Sequence, residues 1–501
     1  MSLLGLDVGI TGCKAVAFGL RGEMLAQAYH EYPLYQPRPG WMELDPAEVW
    51  GAVTGVIRRV TGAIPHDPVR ALSISTHGES VLPLDAQGRP LCRFITALDT
   101  RAAEQTRWWE EQLGKERLFH ITGMPLHPMY TVNKLMWLRQ HDPSVFNDAH
   151  RFLCMQDFLF YRLGLPPTMD YTLATRTMAF DVSQLAWSEE ILGLAQLDAG
   201  RLSKVLPSGS VLGEVAAPVA EELGLAPGAI GVTGGHDQPS GALGCGVTAE
   251  GVAMDATGTV ECLAVASPKL VLEAELLESN LPVAPHAVPG MYFVLGYSST
   301  GGALLRWYRD NFAGAEQRAA EQTGQDVYDL ILGQAIDGPS PVLILPHFVG
   351  SGTPWMDPAS KGAILGLDLS TSSGQVIKGI LDSVTYETKL SLDVMETAGI
   401  ALRELRAVGG GAKSSRWLQT KADIFGKPVM AMDVSEAACL GVAILAGVAT
   451  RAFSSIEEGV ARMVRVKRTY EPDMAVHERY MEKARVFAQV YPTLAALNHQ
   501  L

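Results

Sequence analysis

The stretch GLDVGITGCKAVAF (residues 5–18) places one acid, Asp7, inside a glycine-punctuated apolar run. Leu3, Leu4 and Leu6 lead into it, and Ala15, Val16, Ala17 and Phe18 follow it, so the pattern predicts strand, tight turn, strand. In the turn, Gly9 and Gly12 would let a ligand approach the backbone, Thr11 adds a hydroxyl, and several N–H groups could point at a phosphate. Asp7 would then face the Mg²⁺ that accompanies that phosphate, and Lys14 would add positive charge. The same residues also suit an ordinary hairpin in which Asp7 hydrogen-bonds its own turn.

The pattern restarts downstream. GVAMDATGTVECLAVAS (251–267) again reads as strand, turn, strand, with Gly258 and Thr259 at the turn. Two such loops in equivalent places can clamp a polyphosphate from both sides of a cleft, which favours the phosphate reading of the first. Around the first loop the spacing predicts strands over 3–8, 14–20, 24–29 and 69–75, with a helix opening at DPAEVW, Asp45 as N-cap and Pro46 in its first turn. Around the second it predicts a third strand near MYFVLGYS (291–298), a helix from Ala303, a long helix over 373–399 and a strand at LRAVGGG (405–411). This repeated order predicts two α/β lobes with an interlobe cleft. Pro, Gly and polar residues concentrate over 225–246, and the lobes are expected at 1–234 and 235–501. A terminal helix over 473–491 would pack back on a lobe, with Pro492 stopping it.

The chain has 501 residues, 47% of them hydrophobic, enough for two or three cores. A net charge of −14 argues against nucleic acid or an anionic membrane surface as the partner and for a small ligand. The cysteines 13, 92, 154, 245, 262 and 439 are scattered, with no CxxC and no zinc spacing, as in a reducing cytoplasm. No secretory leader is expected at the N-terminus, and the small-apolar run 437–449 is too short to span a membrane and reads as a buried helix.

Three further motifs could meet in the cleft. In LRAVGGGAKSSRWLQTKADIFGKPV (405–429) a strand runs through Gly409, Gly410 and Gly411 to a helix capped by Ser414 or Ser415, where a flat adenine could lie against bare backbone. It is neither a GxGxxG fingerprint nor a P-loop. In GGHDQPSGALGCG (234–246), Asp237 could accept a proton from a hydroxyl attacking a phosphoryl group, flanked by His236 and Gln238, or it could be a helix cap at a domain joint. STHGES (75–80) and ALDTR (97–101) offer His77, Gly78, Glu79, Asp99 and Arg101 to a polyhydroxylated ligand. For His77 and Arg101, a solvated loop or a surface ion pair is the alternative.

Taken in order, GLDVGITGCKAVAF, ALDTR, MYTVNKLMWLRQH (129–141), GGHDQPSGALGCG, KGAILGL (361–367), ILDSVTYE (380–387) and GGGAKSSRWLQTKADIFGKPV resemble the FGGY carbohydrate kinases, among them xylulose, fuculose and glycerol kinases. The resemblance runs from Leu4 to about Gly447, and only Gly379 departs from the second family signature, where Ala or Ser is usual. It implies two ribonuclease-H-like, actin-like ATPase lobes closing over ATP·Mg²⁺ and a sugar or polyol. Asp237 would be the catalytic base and Asp7 the metal-side carboxylate, the two flanking the Mg²⁺. Thr11, Gly12, Lys14, Gly258 and Thr259 would bind phosphate, and Gly302, Gly410, Gly411 and Ala412 the nucleotide. His77, Gly78, Glu79, Asp99, Arg101, Asp237 and Gln238 would surround the sugar. A cytoplasmic homodimer is expected.

Ile10 stands where many relatives have Thr or Ser, and HFVGSGTPW (347–355) lacks the GER common before TP in pentulose kinases. Glu79 and Asp237-Gln238 resemble the glycerol-kinase pattern, but Gly78 replaces the neighbouring Arg and Met129 stands near the expected Tyr. GHD and GTVE resemble fuculose kinases, GGGAKSSRW and ADIFGKPV xylulose kinases. The first expectation is a ketopentose such as xylulose. L-fuculose, L-ribulose, glycerol and erythritol are the alternatives. A non-catalytic sugar-binding protein would need a broken site, and an actin-like chaperone or filament protein would need a peptide-binding or polymerising surface; neither is evident.

Overall fold

Asp45 accepts from the N–H groups of Ala47 and Glu48, and Pro46 supplies the first helical turn, so the helix Pro46–Ala63 begins where its sequence predicts. Its buried face, Val49, Val53, Val56, Ile57 and Val60, lies on a mixed sheet built around Ser2–Val8. The computed structural model describes residues 2–501.

That first sheet has the order Val211–Glu214, Ile230–His236, Val69–Thr76, Ser2–Val8, Gly12–Phe18, Met24–Glu31. The second runs Val283–Pro285, Tyr292–Ser298, Glu261–Ser267, Val252–Thr257, Glu404–Gly409, Val429–Met432, Val466–Tyr470. Leaving out the edge strands Val211–Glu214, Val283–Pro285 and Val466–Tyr470, both read third, second, first, fourth, fifth in chain order. In both, the first strand is antiparallel to the second and parallel to the fourth. The duplication predicted from element order is therefore present in strand order and direction. It puts the two glycine turns, 9–12 and 258–260, at matching ends of the two central hairpins.

The lobes are not contiguous in sequence. The helix Ala437–Ala449 belongs to the second half but packs on the first sheet, where Cys439, Leu440, Ala443 and Ile444 meet Leu3, Val16, Phe18, Ala71 and Val232. It is buried, as expected, and no helix among the described residues is long and apolar enough to cross a membrane. The helix Asp237–Gly244 crosses it at backbone distance: a Cβ on Gly441 would lie 1.9 Å from the Ser240 carbonyl oxygen, and one on Gly244 1.8 Å from that of Ala437. These glycines let two helices touch and tie the lobes together.

Two boundaries differ from expectation. The division between 234 and 235 falls inside Ile230–His236, whose pairing with Val69–Thr76 extends to His236 opposite Thr76. The glycines there mark a close approach and not a linker, since a Cβ on Gly234 would sit 2.0 Å from the Ile74 carbonyl oxygen. Pro492 does not stop the terminal helix. Met474–Phe487 ends first, and Pro492 lies in the opening turn of Val490–Asn498, where a missing N–H costs nothing. Tyr480, Phe487 and Val490 then pack on Leu343, Leu345, Tyr386 and Ile424.

Candidate functional site

The two glycine turns share one construction. In each, the first glycine N–H closes the turn, Gly9 onto the Gly12 carbonyl (2.9 Å) and Gly258 onto that of Val260 (2.9 Å). Tyr32 Oη donates to the Gly9 carbonyl, bracing the first loop. The second is braced by the start of Gly302–Phe312: Gly302 N–H donates to the Gly258 carbonyl (2.8 Å) and Gly301 N–H to that of Thr259 (2.9 Å). Gly12, Gly302 and Gly411 are demanded by the fold itself, since a Cβ would lie 2.7, 2.7 and 2.6 Å from His30, Gly258 and Thr257 atoms. At Gly9, Gly258 and Gly410 the nearest atom to an added Cβ is 3.5, 3.9 and 3.9 Å away, and none has positive φ. Nothing in the chain's own packing requires glycine there, and the open space fits a ligand lying against the backbone.

Asp7 sits one residue before the first turn, opposite Lys14 across the hairpin and beside Ser75 on the fourth strand, whose hydroxyl donates to it at 3.0 Å. Burial, then the charge of Asp237, pushes its carboxyl up to about 7, against the Ser75 bond and Lys14. Lys14 is already held by Glu436, at 2.6 Å, at the start of Ala437–Ala449. Two carboxylates, Asp7 and Asp237, thus share a region whose nearest lysine is committed elsewhere. That donor set fits Mg²⁺ held largely by phosphate oxygens. Among the described residues no cluster of three or more His, Cys, Asp or Glu could hold a metal unaided.

Asp237 is the first residue of the helix that follows Ile230–His236, at the C-terminal end of a parallel strand, where α/β sheets bind ligands. The N-cap position is His236, so Asp237 lies inside the first turn and is not the cap. Burial, then Glu79, pushes it up to about 6, while the Gln238 N–H and Arg176 oppose. His236 Nε2 lies 3.2 Å from Asp237 Oδ1, yet Oδ1 has no hydrogen-bond partner. Burial, then Arg176, pushes His236 down to about 3, so it is neutral. Its N–H is fixed by the Thr172 hydroxyl at 2.7 Å. His77, also lowered by burial, sets its Nδ1 3.1 Å from the Val8 carbonyl, so Nδ1 carries the proton and Nε2 is a free acceptor. His77 Nε2, Gln238 Oε1 and Asp237 Oδ1 are all buried without a partner.

Glu79 is held in left-handed backbone, φ 64°, by Lys134, whose Nζ donates to the carbonyls of Glu79 (2.7 Å) and Met129 (2.6 Å). Burial pushes Lys134 down to about 8. The Glu79 carboxylate is gripped by Arg176 through Nε and Nη2. Burial works against its charge, but Arg176, with Lys134, holds it below the usual glutamate range. Gly78 packs over this pair, since a Cβ would lie 3.0 Å from Arg176 Cβ and Cγ. Arg176 and Lys134 were not singled out as site residues in the sequence; Arg176 lies about 100 residues from Glu79 and carries no motif of its own.

Asp99 and Arg101 come together, but on each other. Asp99 accepts from Arg101 Nε (2.9 Å) and Nη2 (2.7 Å) and from the N–H groups of Met42 (2.7 Å) and Arg101 (2.9 Å). Arg101 also reaches Glu43 (2.8 Å) and lies 3.7 Å over the Trp41 ring. Asp99 is buried with its carboxylate fully engaged, so the pair braces its loop.

A 410 Å³ cavity opens beside the second turn, lined by Gly258, Thr259, Gly302, Gly410, Gly411 and Ser414, with Leu305, Tyr328 and Trp417 as apolar walls. It gathers the nucleotide residues expected from the second half except Ala412. That residue lines an adjoining 630 Å³ cavity, which shares Gly410 and Lys413 with the first and includes Phe18, Met24 and Met432. Tyr328 comes from Val327–Gly333, a helix without a recognisable motif.

The model of the FGGY family of carbohydrate kinases, N-terminal domain, matches residues 2–244, and that of its C-terminal domain matches residues 253–450. A xylulose kinase of Staphylococcus epidermidis is 28% identical over 100% of this chain and 98% of its own. A gluconokinase of Bacillus subtilis is 28% identical over 91% and 89%, and a glycerol kinase of Bordetella parapertussis 31% over 94% and 92%. In fold, the chain matches a ligand-bound xylulose kinase from Lactobacillus acidophilus with a TM-score of 0.91 at 22% identity, covering 100% of this chain and 99% of that one.

Proposed function

The chain belongs to the FGGY family of carbohydrate kinases, with its two-lobed actin-like ATPase fold, and is a sugar or polyol kinase; from that premise we propose that its acceptor is a ketopentose such as xylulose and that Asp237 is the base. The observation that carries the base assignment is a half-exposed carboxylate at the lobe junction whose Oδ1 is buried without a hydrogen-bond partner, which lies within electrostatic reach of Asp7 and has partnerless acceptors beside it.

Adenosine would occupy the 410 Å³ cavity, with its phosphates between the two turns. Asp7 and Asp237 would hold Mg²⁺ together with the phosphates, and the ion supplies neutralisation of phosphate charge when bound. Asp237 takes the proton of the acceptor hydroxyl as its oxygen bonds to the γ-phosphorus and the bond to the β-phosphate oxygen breaks. The braced turns supply alignment and preset dipoles, and closure of the lobes excludes water. The ketopentose assignment is supported by the xylulose kinase match, which spans the whole chain.

The test is ADP release with Mg²⁺·ATP against D-xylulose, L-xylulose, D-ribulose, L-ribulose, L-fuculose, L-rhamnulose, glycerol, erythritol and pentitols, with Asp237→Ala alongside. Preference for a ketopentose, silent in the variant, is expected. Preference for glycerol or erythritol refutes the ketopentose, and a variant with full activity refutes the base. We also propose a cytoplasmic homodimer, on the free cysteines and the bare Leu367 and Leu369. Sedimentation at the monomer mass of 53.9 kDa would refute the dimer.

A further inference from the structure

The acceptor side of the site has an unusual balance of donors and acceptors. Asp237 Oδ1, Gln238 Oε1 and His77 Nε2 are buried acceptors with no partner in the chain. A ligand satisfies them only by bringing hydroxyl protons. A carboxylate brings none and would face the charge of Asp237.

The positive groups nearby are already engaged. Arg176, 7% exposed, delivers Nε and Nη2 to Glu79. Its other N–H groups face the thioethers Met124 Sδ at 3.5 Å and Met129 Sδ at 3.9 Å, which are weak acceptors, beside the Tyr130 ring. Lys134 gives its Nζ to two carbonyls. His127, pushed down to about 4 by burial and Arg176, is neutral. Arg176 therefore keeps unspent hydrogen-bond capacity near Asp237 but no net charge of its own to offer.

We propose that the Glu79–Arg176 pair is the specificity determinant of this site: as a neutralised acceptor–donor couple it admits uncharged polyols and ketoses and rejects aldonates. The inference rests on the sugar-kinase reading. Glu79 supplies an acceptor and Arg176 a donor to hydroxyl groups, while Glu79 denies Arg176 to a substrate carboxylate. Removing the Glu79 charge without changing its shape would leave a buried guanidinium seeking an anion.

The experiment compares D-xylulose, glycerol and erythritol with D-gluconate, in wild type and Glu79→Gln, by ADP release and by calorimetric binding. In wild type the best neutral acceptor is expected to exceed gluconate by about 10³-fold in kcat/KM, because a site built around hydroxyl donors leaves its polar groups unpaired with the wrong ligand. In Glu79→Gln that ratio should shrink about 10–100-fold as Arg176 takes the carboxylate. Gluconate as the preferred wild-type substrate or ligand overturns the inference while leaving the kinase intact. An unchanged ratio in a Glu79→Gln protein that melts cooperatively also overturns it. If that variant does not fold, the wild-type ratio and wild-type binding decide alone. Binding of a neutral acceptor but not gluconate supports the inference even without turnover, the result that would defeat the kinase reading separately. Failure of every neutral acceptor to bind overturns both.

Discussion

Asp237→Asn keeps the shape of the side chain and removes the base, and its effects on rate and on stability should have opposite signs. Loss of a positioned general base costs about 10²–10⁴-fold, so kcat at pH 8 should fall about 10³-fold, or ~4 kcal/mol in barrier. ATP affinity without Mg²⁺ should hold, because the 410 Å³ cavity proposed for adenosine is lined by residues of the other lobe. The carboxyl is pushed up from 3.8 to about 6 by burial and Glu79. The folded protein therefore holds a proton more tightly than the unfolded chain does. This stabilisation is fully present below pH 3.8 and is lost as pH rises through about 6. The whole shift corresponds to ~3 kcal/mol. With 38% of the side chain open to water, screening reduces the expected cost of the charge at pH 8 to ~1 kcal/mol. Asparagine avoids that cost, so the variant should be about 1 kcal/mol more stable than wild type at pH 8 and equal to it near pH 3.5. The assays are coupled ADP release, ATP calorimetry and urea unfolding at both pH values. The wild-type kcat/KM should also fall as pH drops through about 6, where the base becomes protonated, and this limb should vanish in the variant. A variant within tenfold of wild type in kcat, or less stable than wild type at pH 8, would refute the reasoning.

Gly258→Val should leave the melting temperature nearly unchanged, since the nearest atom to an added Cβ is 3.9 Å away, while raising the KM for ATP about tenfold or more; equal KM values would show that the phosphates lie elsewhere. Lys421→Met should cost about 3–5 kcal/mol in urea unfolding. Lys421 alone neutralises buried Asp255 (2.6 Å) and Glu261 (3.2 Å) beneath the second turn, and a loss under 1 kcal/mol would show that the cluster does not depend on its charge.

What the sequence determined by itself was local or repeated. Alternation, glycine turns and caps at Asp45 and Ser414 fixed where strands and helices begin, because those signals act within a few residues. The repeat of one turn in each half predicted the two-lobed fold, and one acid among small residues marked Asp237. Only the tertiary structure decided what depended on distant partners. It separated glycines needed by backbone contact, such as Gly411 and Gly441, from those whose space is open, such as Gly9 and Gly258. It spent Asp99 on Arg101, moved the helix Ala437–Ala449 onto the opposite lobe, and brought Arg176 to Glu79. Whether a buried charge faces a ligand or is cancelled by a neighbour depends on which groups share its low-dielectric surroundings. That neighbourhood is set by packing between segments far apart in the chain, which no local pattern encodes.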